Sequence, residues 1–401
     1  MAQSTGENVR PRVPDHVWLS TILAATAVAL LTGVLLVRTG FDPSRLVRAA
    51  PPWTDPANTL PSLTVLPHEY EFDGQFFYRL AVAPFSNAAS VGGVTFDLPA
   101  LRGSRWGFGL VGYLLSAGQP VLVPWSLLVV NAGCLVLLAV IGGGFAQSSG
   151  RHALWGLLLP LWPGFAYTLT LDTAELLTSV FLMGSLLAAR RRAFVWTAIL
   201  ASAAAVTRET AVVGAVGLLV AGLWARLRPA EDTDRRGANA LWVAGLVALS
   251  VFCLSQLGGW LLFGQLPLGS STGNNAGLPL VGLFGAVVDS MHPVSAGNAL
   301  RLVSLLLVIW MMVAGAIVLR SSSAALAEKV TWVAAVAVVA VLNGNPLVNA
   351  PSLMRAATEA GLLTVLLLLG SRSRLLLPTA IAMGSVTVIS IGTMIVRIPP
   401  L

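Results

Sequence analysis

The chain has 401 residues, 56% of them hydrophobic and only 10% charged, against roughly 25% charged in soluble domains. So few charges cannot cover a water-exposed surface, which excludes an ordinary soluble protein. The formal net charge of +7 comes from cations scattered mostly at the ends of apolar blocks. A nucleic-acid footprint would gather them on one face, so that class is excluded as well.

The apolar residues come in blocks near the ~20 residues that span a ~30 Å hydrocarbon core. Arg10 and Arg12 precede the first block, 17–37, which is too long for a signal-peptide core and reads as a retained anchor. A segment rich in proline and aromatics follows, 38–119, with interfacial helices expected near 74–82 and 106–116. Further spans are expected near 120–145, 153–171, 173–189, 193–206, 210–225, 240–263, 298–319, 329–342, 356–370 and 375–396, eleven in all. A second long loop, 264–297, contains a short apolar stretch at 278–288, and a third covers 343–355. The fold class is therefore an all-α polytopic membrane protein, a single transmembrane domain over 1–401. Cys134 and Cys253 both lie in apolar blocks, so no disulfide framework is available.

Alternation of the spans sets sidedness. With a cytoplasmic N-terminus, the inner segments hold 14 of the 24 basic residues against six acids, and the outer segments hold ten against eleven. That is the asymmetry of the positive-inside rule. It predicts a multi-pass membrane protein with an extracytoplasmic C-terminus. The inner loops are short, so chemistry is expected outside.

Charged residues at membrane depth are costly and face a cavity or a partner. The apolar stretch 193–225 would make a helix of roughly 50 Å at 1.5 Å per residue, so it must turn at Thr207-Arg208-Glu209-Thr210. Asp172 and Glu175 form a similar recessed turn. The functional reading is an outward-opening cavity; the bland one has Arg208 and Glu209 pairing with each other or with Asp172 to close a hairpin. In Glu69-Tyr-Glu-Phe-Asp-Gly-Gln-Phe-Phe-Tyr-Arg79, Asp73 suits a helix N-cap, and Phe76, Phe77 and Leu80 form a stripe able to lie on a membrane. His68 and His292 are loop histidines, more often neither base nor ligand. A transporter or flippase would more often show two related halves, which are not seen here. A non-catalytic partner in envelope assembly is a third reading.

Four stretches resemble the GT-C superfamily of polyprenyl-phosphate-sugar-dependent glycosyltransferases, in particular bacterial relatives of the GPI mannosyltransferases. Phe72-Asp73-Gly74-Gln75-Phe76-Phe77-Tyr78-Arg79-Leu80-Ala81 is similar to the Asp-Gly-x-x-Tyr-x-x-Ile-Ala pattern of that family's first outer loop. Trp162-Pro-Gly-Phe-Ala-Tyr-Thr-Leu-Thr-Leu-Asp172-Thr-Ala-Glu175 resembles its proline-glycine turn before a recessed Asp-x-x-Glu. Ala205-Val-Thr-Arg-Glu-Thr210 resembles a Thr-Arg-Glu junction, and Phe263-Gly-x-x-Pro267 with Gly273-Asn274 a later outer-loop pattern. Two departures stand out: Leu171 occupies a place where relatives often carry a basic residue, and Arg102-Gly-Ser-Arg105-Trp106 replaces a tyrosine- and arginine-rich approach to the second span.

The resemblance implies a GT-C-like bundle of about eleven helices. It would move a sugar, mannose or another hexose, from a polyprenyl-phosphate donor to a lipid or glycan acceptor of the cell envelope, with inversion. Asp73 is implied as general base, with Glu71, Asp172 and Glu175 as further catalytic carboxylates. The planar guanidinium suits phosphate oxygens, making Arg79, Arg208 and Arg355 candidates for the donor phosphate, with Gln75, Glu209 and Asn274 as further substrate contacts. Glu71 and Asp73, two residues apart, also form an oxygen pair able to hold a divalent cation such as Mg or Mn, a spacing equally common in solvated loops.

Overall fold

The computed structural model describes residues 17–66, 72–227, 235–270 and 275–398. It is almost wholly helical. In chain order come α1 (Val17–Arg38), α2 (Gly74–Val82), a small hairpin of β1 (Ser90–Val91) and β2 (Val94–Thr95), α3 (Pro99–Ser104), α4 (Trp106–Leu115), α5 (Val123–Ser148), α6 (Gly164–Leu171) and α7 (Glu175–Arg190). Then follow α8 (Phe194–Thr207), α9 (Val212–Leu227), α10 (Arg235–Phe263), α11 (Val281–Ser290), α12 (Ala296–Val318), α13 (Leu326–Ala340), α14 (Ala350–Ala356), α15 (Thr358–Leu369) and α16 (Leu376–Arg397).

Among the described residues six helical segments are long and apolar enough to cross a membrane: Val17–Arg38, Pro120–Ser148, Glu209–Leu227, Arg235–Phe263, Ala296–Val318 and Leu376–Arg397. A pair bent by 57°, Ala350–Ala356 with Thr358–Leu369, makes a seventh. The chain is thus a multi-pass membrane protein. Exposed Leu30 and Val37 on α1 and Leu254 and Leu261 on α10 present apolar faces that water would penalise and lipid does not.

Each of the eleven expected segments contains helix, but they are not eleven helices of spanning length. The block 153–171 is broken: a short turn of helix at Ala153–Leu158 and the eight-residue α6 are separated by a stretch carrying Pro160 and Pro163. A proline ring removes an amide donor and clashes with the preceding turn, so one continuous helix cannot form there. α7 and α8 have 16 and 14 residues, about 24 and 21 Å at 1.5 Å per residue, short of a ~30 Å core.

The helix α2 of the long first loop packs into the protein and does not present its apolar stripe outward. Phe76, Phe77 and Leu80, the expected interfacial stripe, are each 3% exposed, and α2 packs against α4 and α5. Phe77 meets Phe108 edge-on, with ring centroids 5.4 Å apart. Gly74 explains how α2 enters so deeply. A Cβ there would come within 2.4 Å of the Leu171 carbonyl oxygen and 2.5 Å of the Val47 oxygen, both backbone. Because backbone cannot swing aside, Gly74→Ala is expected to cost about 1–3 kcal/mol by overpacking. A melting temperature in detergent equal to wild type would refute that close approach.

A second fixed point joins distant segments. Trp162, fully buried, donates through Nε1 to the Met354 carbonyl at 3.0 Å and lies 3.2 Å from the Thr358 hydroxyl. It ties the entry of α6 to the bend between α14 and α15, and so sets the position of Arg355.

Candidate functional site

Five separate chain segments bring charge to one place. Asp73, just before α2, has helical backbone angles but makes no side-chain cap. The carboxylate that suited an N-cap is turned sideways, where one oxygen meets Arg102 Nη2 at 2.9 Å and the other accepts from Arg355 Nη2 at 2.7 Å. Arg102, in the last turn of α3, is also held by Asp97, with its Nε 2.8 Å from Asp97 Oδ1 and its guanidinium 4.5 Å above the Phe76 ring. Arg355, in the last turn of α14, donates through Nε to Glu175 Oε1 at 2.9 Å.

Arg208 continues the chain of alternating charge. Its Nη1 donates to the Arg355 carbonyl at 2.9 Å and lies 3.4 Å from Glu359 Oε1, with Nε 3.9 Å from Glu175. Thr210 donates to the same Glu359 oxygen at 2.6 Å. Glu209 turns the other way and accepts from Arg105 Nε at 2.7 Å. The two recessed turns therefore meet, but not as the hairpin reading had it: Arg208 pairs with Glu359 and Glu175, and Glu209 with Arg105.

A cavity of about 450 Å³ opens onto this network, lined by Asp73, Asp97, Glu175, Arg102, Arg105, Arg208 and Arg355 together with Trp53, Asn275, Asn345 and Ser352. Asp73 and Arg208 thus share one pocket. Burial alone would raise the Asp73 carboxyl, but the charges of Arg102 and Arg355, with Arg105 beyond them, outweigh it and hold the group far below the usual carboxylate range.

A second, apolar cavity of about 340 Å³ lies beside the first, lined by Leu80, Phe85, Gly103, Trp106, Leu254, Leu262 and Phe263 among others. Gly103 and Trp106 line it while Arg102 and Arg105 line the polar one, so α3 and the start of α4 form a common wall. At the far ends of α7 and α15 the character changes. Arg190 binds Glu328 there (Nη2 to Oε2, 2.5 Å), and Arg151 donates to the Leu369 carbonyl at 2.8 Å. α7 thus carries Glu175 at its cavity end and Arg190 at the other.

Not every candidate reaches the cavity. Gln75 is fully buried and accepts from Thr54 Oγ1 at 2.6 Å. Arg79 is 2% exposed, stacks 3.8 Å over Phe96, and donates to the carbonyls of Ala88, Ala89 and Val94, where it braces the β-hairpin. Asp172 is fully buried in a left-handed conformation (φ 44°) at the end of α6; its Oδ1 accepts from Asn131 Nδ2 at 3.4 Å, and its Oδ2 has no partner among the described residues. These three do not line the polar cavity. Glu71, Asn274 and His68 lie outside the described residues. Among the described residues no group of three metal-ligating side chains gathers, and both Asp73 oxygens face guanidinium groups, so no step is routed through a divalent cation.

Arg102, Arg105, Asp97 and Glu359 are site residues the sequence reading did not single out. A signal was present: a carboxylate at Asp73 destined for burial needs a cation, and Arg102 and Arg105 stand in the same long loop. No family model matches the chain, and no curated protein matches it.

Proposed function

We propose that the polar cavity binds the phosphate of a polyprenyl-phosphate-linked hexose and transfers the sugar to a hydroxyl of a lipid or glycan acceptor on the outer face of a bacterial membrane. What carries this reading is the pairing of the two cavities. One offers carboxylates and guanidinium groups, the other an apolar channel that α10 borders with its exposed Leu254 and Leu262. A ligand with a charged phosphate and a long apolar chain fits both at once, and no nucleotide site is needed.

On this reading the acceptor oxygen attacks the anomeric carbon from the side opposite the phosphate. Its proton passes to Asp73 as the new C–O bond forms. The anomeric C–O bond to phosphate breaks, and the phosphate departs with the bonding pair toward Arg102, Arg355 and Arg208, whose planar forks suit its oxygens. The configuration inverts. Eleven crossings, completed by the short helices α6, α7, α8 and α13 and the bent α14–α15 pair, with a cytoplasmic N-terminus, belong to the same proposal.

The deciding assay incubates purified protein with a panel of polyprenyl-phosphate sugars and lipid or glycan acceptors. Release of free polyprenyl phosphate coupled to acceptor glycosylation is expected for one sugar. Absence of transfer from every member of a hexose panel spanning mannose, glucose and galactose would remove the reading.

A further inference from the structure

The guanidinium groups best placed to receive a phosphate are already occupied, and by the proposed base itself. Asp73 sits in the cavity with one oxygen on Arg102 at 2.9 Å and the other on Arg355 at 2.7 Å, and its side chain is 24% exposed to the opening. Each arginine has a second acid that stays with it: Asp97 holds Arg102 through Nε and also accepts from its Nη2 at 2.9 Å, and Glu175 holds Arg355 through Nε. In both cases Nε is anchored and Nη2 reaches Asp73. Both Nη2 ends can exchange Asp73 for another acceptor while each arginine keeps its anchor, Arg355 Nη2 wholly and Arg102 Nη2 while still shared with Asp97.

Charge counting gives the same result. The network comprises Asp73, Asp97, Glu175, Glu209 and Glu359 against Arg102, Arg105, Arg208 and Arg355. It is already one negative charge in excess, so an added phosphate is favourable only if a carboxylate gives up its claim on the cations. Asp73 is the one carboxylate clamped between two exchangeable Nη2 groups.

We propose that a lipid-borne phosphate and the Asp73 carboxylate compete for the Nη2 ends of Arg102 and Arg355, so that phosphate binds by exchange and Asp73 is released as it does so. This rests on the donor-phosphate reading of the cavity. It joins donor binding to the transfer step. Released from Arg102 and Arg355 as the phosphate binds, the Asp73 carboxylate regains the proton affinity that those two charges had suppressed, while the arginines remain on the phosphate as it departs. One pair of arginines then serves first the resting base and then the leaving group, with donor binding as the switch between them.

The test measures binding, not turnover, and the sign is specific. Undecaprenyl phosphate is titrated against the full chain in lipid nanodiscs, as wild type and as Asp73→Asn. Removing an internal competitor is expected to tighten the phosphate by about tenfold, the worth of one charge-assisted contact. Arg102→Gln and Arg355→Gln are expected to weaken it. Equal or weaker binding by a folded Asp73→Asn protein overturns the exchange, leaving the donor-phosphate reading intact if wild type binds. Absence of binding by both proteins overturns exchange and reading together. Should Asp73→Asn fail to fold, Asp73→Ser tests the same sign.

Discussion

Asp73→Asn is expected to lower kcat for sugar transfer by about 10²–10⁴-fold, the usual worth of a positioned general base, while the donor KM falls or stays constant. The two effects separate because Asn keeps the shape of the side chain and gives up both its proton affinity and its claim on Arg102 and Arg355. A structural role alone would predict the reverse, a parallel loss of binding and turnover. The fold should survive: Arg102 retains Asp97 and Arg355 retains Glu175, so the cost is about 1–3 kcal/mol, between the values for exposed and buried pairs. Since the folded state depresses the Asp73 pKa, the stabilisation it provides is complete above the unfolded value of about 4 and is lost only as pH falls through the lower folded value. The melting difference between the two proteins should therefore hold steady from pH 8 to 5 and close only in stronger acid. Undiminished kcat in the Asn variant would remove Asp73 as the base.

How much of this was legible in the sequence depends on the kind of signal. Glu175 and Arg208 could be found because a charge at membrane depth needs a partner, Asp73 through the motif that carries the family resemblance, and Arg355 as a guanidinium in an outer loop, and these four do converge. Gln75 and Arg79 were drawn in by adjacency to Asp73 in a motif, yet a helix turns about 100° per residue. Positions two and six residues beyond Asp73 therefore face well away from it, toward Thr54 and the 88–94 backbone. Asp172 was read as equivalent to Glu175 three residues later, but the left-handed turn that ends α6 breaks the helical phase between them. Arg102 and Arg105 were visible only as departures from a family pattern, and long-range pairing with Asp73 and Glu209 has no local sequence signature. The expected span 153–171 is not one continuous helix, because hydropathy sums ignore the break that Pro160 and Pro163 make there.

Arg355→Gln is expected to be the most damaging single change in the site, destabilising the protein by about 3–5 kcal/mol and abolishing donor binding. The magnitude follows from what stays behind. Glu175 is 2% exposed, and with Arg355 gone its nearest cation is Arg208 at 3.9 Å, so a carboxylate is left in the interior with little compensation. Glu175→Gln should cost less, because Arg355 keeps Asp73 and Arg208 keeps Glu359. In the double variant the stranded charge no longer exists, so the two penalties should fall short of additive by about 1–3 kcal/mol, a coupling of the size seen between contacting residues. Strict additivity would mean that the 2.9 Å contact carries no energy and that the cavity wall is held by packing alone. Arg355→Lys separates charge from shape. An ammonium's N–H groups all radiate from one nitrogen, whereas Nε and Nη2 reach Glu175 and Asp73 from two separate nitrogens of one planar fork, so lysine should recover part of the stability and little of the donor affinity. Full recovery of both would show that the site requires only a positive charge there, and the phosphate exchange, which depends on one anchored and one free nitrogen, would lose its basis.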